Sequence, residues 1–371
     1  MKTGRRSRLI VLVLTAAVLM AISHSGIGNI LANDNTESIC FTRSGQINVT
    51  TCYITTVVEK EPAESNSSAG SITVEAVASE LESPITEDIL DNGNQWALDK
   101  MGINELWQKT TGSQDILVAV LDTGIDIDHE DLDGQIVAEI NYTDSSTTQD
   151  IHGHGTHIAG IIAAQSNYTG ITGVAPDCEL LNIKVADDMG RCYASALAKG
   201  IIYAVDKGAS VINISVEIRG DSAELEKAVD YAWEMGSLVV AAAGNDGNDS
   251  PVYPAGYDNC IAVAATNHDD SLAILSNYGD WVDVAAPGFG IYSTLPDDGY
   301  GLKTGTSFAC AYVSGMAALL FDIVVDTNGD GRINDEVRVA IESGCHKIET
   351  DGIGSGRIDA NVIVARLCDN S

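Results

Sequence analysis

The run Ile116-Leu117-Val118-Ala119-Val120-Leu121 ends in Asp122-Thr123-Gly124. Six consecutive aliphatic residues closed by a Thr-Gly turn read as a strand buried on both faces, the habit of a parallel sheet covered by helices. The strand delivers Asp122 at its C-terminal end, the edge where α/β proteins gather their chemistry. Similar runs recur at 180–185, 211–215, 238–243 and 261–265, with helix-type apolar spacing over 194–205 and 223–235. Strands alternating with helices predict an α/β fold with a mostly parallel central sheet and right-handed crossovers.

Two further stretches answer Asp122. His152-Gly153-His154-Gly155-Thr156-His157 precedes a helix over 158–164, and Gly305-Thr306-Ser307-Phe308-Ala309 opens an apolar helix over 309–321. A serine at a loop-to-helix junction has its hydroxyl in the open and unpaired first-turn N–H groups beside it, although the same tripeptide is also an ordinary N-cap. Acid, imidazole and hydroxyl occur in the order Asp, His, Ser. The hydroxyl needs a base, and the base needs a carboxylate to set its tautomer.

These motifs resemble those of the subtilisin-like serine proteases, the subtilases, over roughly residues 95–367. Asp122 lies in a match to D-T-G, His154 in H-G-T-H, Asn245 in Ala243-Gly244-Asn245-Asp246 and Ser307 in G-T-S-x-A. The resemblance implies a three-layer αβα sandwich and a secreted endopeptidase acting through an acyl-enzyme. In it Ser307 is the nucleophile, His154 the base and then acid, Asp122 its orienting carboxylate and Asn245 the oxyanion donor. The competing reading is a non-catalytic, calcium-stabilised surface or binding protein, but degenerate relatives normally lose one of these four residues and this chain keeps all. One departure stands in the helix, where the family's early proline is replaced by Ala311; its role at a helix start is a convenience that alanine also serves.

By the same resemblance, Arg191-Cys192-Tyr193 and Ser215-Val216-Glu217 are the two segments that hold an extended peptide by backbone pairing. Glycine is usual where Glu217 stands. A carboxylate there could favour a basic residue before the cut, yet long glutamate side chains more often turn to water. Val252 makes the pocket shallower, and the Tyr253-Pro254 bond is expected to be cis. A family-type calcium site would join Asp131 to the loop 165–171 through Gln165, Asn167, Thr169 and Ile171; an ordinary surface loop with a glycosylated Asn167 is the alternative.

A second calcium loop is read from spacing alone. Asp326, Asn328 and Asp330 alternate before Gly331, Arg332 can offer its carbonyl and Asn334 stands ninth, which is EF-hand or dockerin spacing between two helices. Val337 occupies the twelfth position that an acid normally fills, so binding is expected to be weak. The alternative is a polar Asn-Gly and Asp-Gly turn.

The N-terminal 25 residues carry Lys2, Arg5, Arg6 and Arg8, then the apolar stretch 9–22, then small residues, and predict a secretory signal, with an uncleaved anchor as the alternative. Residues 26–92 are Ser/Glu-rich in part and predict a propeptide or a glycosylated spacer; residues 93–371 form the catalytic domain, with the loop 326–337 as an insertion. Eight cysteines in a secreted chain predict disulfides, for which about a hundred pairings exist. Cys40 with Cys52 and Cys345 with Cys368 are the favoured local pairs; Cys178 could join Cys192, leaving Cys260 and Cys310 joined or buried and free. Of six glycosylation sequons, Asn213 lies in an apolar run and is a poor acceptor. A net charge of −33, from 20 Lys and Arg against 53 Asp and Glu, repels nucleic acid and anionic lipid and suits a soluble, monomeric extracellular protein. No organic cofactor is expected, and the partners are protein or peptide substrates.

Overall fold

Each of the five apolar runs becomes a strand of one sheet. The computed structural model of the chain describes residues 75–76, 95–167 and 169–369. A short strand β1 (Glu75–Ala76) comes first, then helices α1 (Trp96–Lys100) and α2 (Ile103–Trp107). Strands β2 (Leu117–Asp122) and β3 (Ile136–Asn141) precede α3 (His154–Ala163); β4 (Glu179–Lys184) and β5 (Cys192–Tyr193) precede α4 (Ala194–Asp206). The alternation continues through β6 (Val211–Ile214), α5 (Ala223–Glu234), β7 (Leu238–Ala242), β8 (Cys260–Thr266) and β9 (Val284–Pro287). A hairpin of β10 (Ile291–Leu295) and β11 (Gly299–Lys303) leads into α6 (Thr306–Ile323), and α7 (Asn334–Ser343), β12 (Cys345–His346), β13 (Arg357–Ile358) and α8 (Ala360–Asp369) follow.

Nine strands make the main sheet in the order β12-β13-β9-β8-β7-β6-β2-β4-β3, parallel throughout except for β12 against β13. The period-two alternation of a strand divides its side chains between two cores. Val118 and Val120 of β2 pack with Ile158 and Ile162 of α3 and Met316 and Leu320 of α6. Ala119 and Leu121 face the other way, onto Leu197 and Ile201 of α4 and Leu225 and Val229 of α5. Fully burying each such aliphatic side chain contributes about 1.5–3 kcal/mol, which is why the central strands show no polar face. The result is the expected three-layer αβα sandwich.

Helix α6 is long and apolar enough to cross a bilayer by length and composition, but residues 306–321 are all buried within the helical layer. A helix apolar all round is a core helix when it is covered on every side. The Tyr253-Pro254 bond is cis, as expected.

The expected disulfides are not formed among the described residues. Cys178, Cys192, Cys260, Cys310 and Cys345 are buried free thiols. Cys178 precedes β4 whereas Cys192 pairs with Ala186 beyond its far end, and a strand of that length separates them by roughly 20 Å, well beyond disulfide reach. Cys345 turns inward and its thiol donates to the Ile341 carbonyl at 3.3 Å, while Cys368 lies exposed on α8. Cys310 donates to Asn213 Oδ1 and to the Val240 carbonyl, both at 3.3 Å. Burial pushes the thiols of Cys178, Cys310 and Cys345 up to about 12, so they act as small apolar side chains. The Cys40–Cys52 pair, the signal and leader segments apart from β1, and Tyr168 lie outside the described residues.

Gly315 sets how close α6 approaches the segment before β4: a Cβ on it would stand 2.6 Å from Val174 Cβ. Alanine normally gains up to about 1 kcal/mol over glycine in a helix, but overpacking here costs about 1–3 kcal/mol. Gly315→Ala should therefore lower the urea midpoint; an unchanged or raised midpoint would mean that Val174 gives way freely.

Candidate active site

The C-terminal edge of β2 places Asp122 in the protein interior, with no exposed surface. Its Oδ1 accepts from the Thr123 N–H at 2.7 Å and from His154 Nδ1 at 2.7 Å. Burial opposes ionisation, but the neighbouring His154 charge, its hydrogen bond and the Thr123 N–H outweigh burial and hold the carboxyl below the usual range. An ionised carboxylate only accepts, so Nδ1 carries the proton and Nε2 is left as the basic nitrogen. Beneath the turn, buried Lys184 donates to the Thr123 carbonyl and pairs with Asp188 at 2.9 Å.

His154 is the first residue of α3, and the loop that presents it is organised by Asp150, a residue the sequence reading did not single out. Asp150 Oδ1 accepts from Thr123 Oγ1 at 2.8 Å and from the N–H groups of His152 and Gly153 at 3.0 and 2.8 Å. Its Oδ2 accepts from the N–H and Oγ1 of Thr156 at 2.9 and 2.8 Å. One buried carboxylate thus ties the turn after β2 to the first turn of α3. The available signal was slight, since Asp150 stands three residues before the N-cap Gly153, outside the usual position of a capping acid.

Ser307 is the second residue of α6. Gly305 holds the N-cap position, so the serine is not spent on capping. Its Oγ donates to the Ser215 carbonyl at 3.1 Å, and Ser215 Oγ donates back to the Ser307 carbonyl at 3.0 Å. Phe308, next in the chain, brings the histidine to this turn: its ring centroid lies 5.6 Å from that of His154 and 4.7 Å from that of His157. Burial holds His157 well below its usual range, and burial followed by the His154 charge brings His152 down to about 4, so both stay neutral around pH 7.

Asn245 stands three residues beyond the end of β7. Its Oδ1 accepts from the N–H and Oγ1 of Thr306 at 2.9 and 3.1 Å, and Thr306 Oγ1 accepts from the Gly244 N–H at 3.1 Å. Those bonds assign the amide's orientation, leaving its NH2 as the donor beside Ser307. The Ser307 N–H, in the first turn of α6, is a second donor that the helix itself does not use.

The expected substrate segments flank this serine. β5 is an edge strand, and β1 pairs with it antiparallel, Glu75 opposite Tyr193 and Ala76 opposite Cys192. Arg191 is drawn to Asp187, Nε to Oδ2 at 2.8 Å. Val216 and Val252 are buried, and the segment after Glu217 is clamped by Ile218 and Tyr253, which exchange backbone bonds at 2.8 and 2.9 Å. Glu217 departs from expectation: it turns inward rather than to water.

Among the expected calcium ligands, Asp131 is buried and wrapped by its loop. Its Oδ2 accepts from the Ile171 N–H at 2.8 Å and Tyr300 Oη at 2.9 Å, and its Oδ1 from Asn167 Nδ2 at 3.1 Å. Asn167 Oδ1 turns to Thr169, and Gln165 donates to the Asp133 carbonyl. The residues gather, with donors rather than acceptors facing the carboxylate. In the second loop Asp326 accepts from the N–H groups of Gly329 and Gly331, and Asn328 from that of Asp330. Asp330 pairs with Arg332 at 2.7 Å, and Asn334 Nδ2 donates to the Trp233 carbonyl. These side chains face the loop's own backbone and neighbours instead of one centre, and no cluster of three or more His, Cys, Asp or Glu suited to a metal occurs among the described residues.

A basic imidazole nitrogen, a serine hydroxyl not used as an N-cap and two donors at the head of the serine's helix can promote attack on a carbonyl and hold the oxyanion that forms, which is the equipment of a serine hydrolase. Comparison with known proteins narrows the class: the profile of the subtilase family, Peptidase_S8, matches residues 113–328. The chain belongs to the subtilase family, and its folded domain is a subtilisin-like serine endopeptidase domain. It is 43% identical over 267 residues to the thermophilic serine proteinase of Bacillus sp. (strain AK1), covering 71% of this chain and 65% of that one. It is likewise 43% identical over 273 residues to thermitase of Thermoactinomyces vulgaris, covering 72% and 95%. With the minor extracellular protease Epr of Bacillus subtilis (strain 168) it shares 40% over 235 residues, 63% and 36% of the two chains. The match thus spans nearly all of thermitase but less than two thirds of the other two relatives.

Asp150→Ala strands five donors at once and should lower kcat at least tenfold while leaving KM within about threefold, since the residue positions His154 and touches no substrate. Steady-state kinetics on one peptide substrate checks this; a change confined to KM would contradict it.

Proposed function

We propose that the chain is a secreted serine endopeptidase that hydrolyses peptide bonds in proteins through an acyl-enzyme. Ser307 Oγ leaves the Ser215 carbonyl and attacks the substrate carbonyl carbon as His154 Nε2 takes its proton. Asp122 keeps Nδ1 protonated and stabilises the imidazolium. The oxyanion receives the Asn245 amide and the Ser307 N–H, donors already in place before charge develops. His154 then protonates the departing amine, the acyl–Ser307 ester forms, and a water deprotonated by His154 releases the acid and restores the serine. The observation that carries this reading is the amide of Asn245, locked by Thr306 at the head of the same helix turn that bears Ser307.

The pairing of β1 with β5 supports the assignment of Arg191, Cys192 and Tyr193 as a peptide-binding edge, because a leader residue pair already adds to it as an antiparallel strand. It equally supports residues 26–92 as a propeptide. Secretion rests on the basic and apolar N-terminal segment. Calcium is proposed as a structural ion, held chiefly by buried Asp131 with the loop 165–171 and more weakly by residues 326–334, where it would supply charge compensation and no chemistry.

A fluorophosphonate probe should label the processed, folded protein and fail to label Ser307→Ala; absence of serine-dependent labelling would refute the enzyme. Calcium should raise the melting temperature over a chelator control, and Asp131→Ala should remove most of that rise. An equal melting temperature with and without calcium in the unaltered protein would dismiss the ion.

A further inference from the structure

Glu217 lies on the segment that runs beside Ser307, and its side chain is only 11% exposed. Its carboxyl accepts the backbone N–H of Asn245. A Cβ built on Gly244 would stand 2.7 Å from Glu217 Oε2, 2.6 Å from Asn277 Nδ2 and 3.3 Å from Val252 Cγ2. These three side chains therefore converge over one glycine, immediately before the asparagine that would receive the oxyanion. Asn277 Oδ1 takes the N–H groups of Asp246 and Asn248 at 2.9 and 3.3 Å, whereas its Nδ2 is buried and unpartnered. If residues 215–217 hold the substrate as proposed above, the side chain one bond from the attacked carbonyl lies between them and Gly244, where it meets this group.

The charges facing Glu217 are Asp246 and Arg219. Arg219 Nε stands 3.9 Å from Glu217 Oε1, but its guanidinium is committed to both Asp246 oxygens at 2.7 Å. Two carboxylates thus share one cation. Burial first, and then Asp246, push Glu217 up to about 7 against the pull of Arg219 and the Asn245 N–H. An unfolded glutamate loses its proton near 4.5, so between there and about 7 the unfolded chain sheds its proton first and folding weakens. An acid kept at such a cost beside a nucleophile is a mark of use, since glutamine would make the same backbone bond without it.

We propose that Glu217 is the specificity-determining residue of the cleft, pairing with the cationic side chain of a lysine or arginine that supplies the attacked carbonyl. This rests on the endopeptidase reading and on residues 215–217 as a substrate-holding segment.

The test is kcat/KM between pH 5.5 and 8.5 for peptides that differ only in carrying lysine, arginine, norleucine or alanine before the cut. At pH 8 lysine should exceed norleucine by about ten- to a hundredfold, the range of a hydrogen bond to a charged group. The ratio should shrink below about pH 7 as Glu217 takes up its proton; titration of His154 cancels in it. Glu217→Gln should bring the ratio near one at every pH, and Asp246→Asn should shift its midpoint to lower pH. A ratio unchanged by Glu217→Gln would overturn the proposal, as would a preference for alanine over all three long side chains, the behaviour of a plug. Either result with intact fluorophosphonate labelling of Ser307 overturns this proposal alone; no labelling of the unaltered protein overturns the endopeptidase reading with it.

Discussion

A carboxylate and an imidazole share a 2.7 Å hydrogen bond in a place that water does not reach, and the surrounding architecture exists in large part to make that tolerable. An uncompensated charge in the interior costs several kcal/mol. Asp122 escapes that penalty because β2 ends at the sheet's C-terminal edge, where the chain turns and its Thr123 N–H is free to donate back. A parallel sheet with helices on both faces presents such an edge while burying the strand that leads to it. The same requirement explains Asp150, which gives a whole loop its hydrogen-bond partners where no regular structure can.

The central strands were legible because burial on both faces leaves a short continuous aliphatic run bounded by turn residues. The four candidate site residues, Asp122, His154, Asn245 and Ser307, could be picked out because each stands at or near an element boundary within a short motif. The strands that escaped notice lack such a run: β3 alternates between half-buried and exposed positions, β9 has only four residues, the hairpin strands β10 and β11 mix polar residues and glycine with apolar ones, and β12 and β13 are two residues each. In β9, β12 and β13 too few residues contribute for periodicity to register.

Two misreadings have a physical lesson. The cysteines expected to pair within the described residues are unpaired; secreted chains favour disulfides, but most strongly in small domains lacking a core, and this sheet is sandwiched between two. Glu217 was sent to water by an average over all glutamates. The structure holds it inward because Gly244 leaves room and the Asn245 N–H offers a partner, neither of which is visible from the residue itself. Asp150 went unnoticed for a related reason: its partners are mostly backbone groups, which every sequence has.

The buried thiols carry a consequence of their own. With Cys178, Cys192, Cys260, Cys310 and Cys345 all unpaired, the described fold is held by noncovalent forces alone, and a reductant has no bond in it to break. The thiols are spread from the segment before β4, through β5, β8 and α6, to β12. Each is shielded from solvent until its own neighbourhood opens, and then becomes an alkylation target. The enzyme thus carries five internal reporters of where its structure first comes apart.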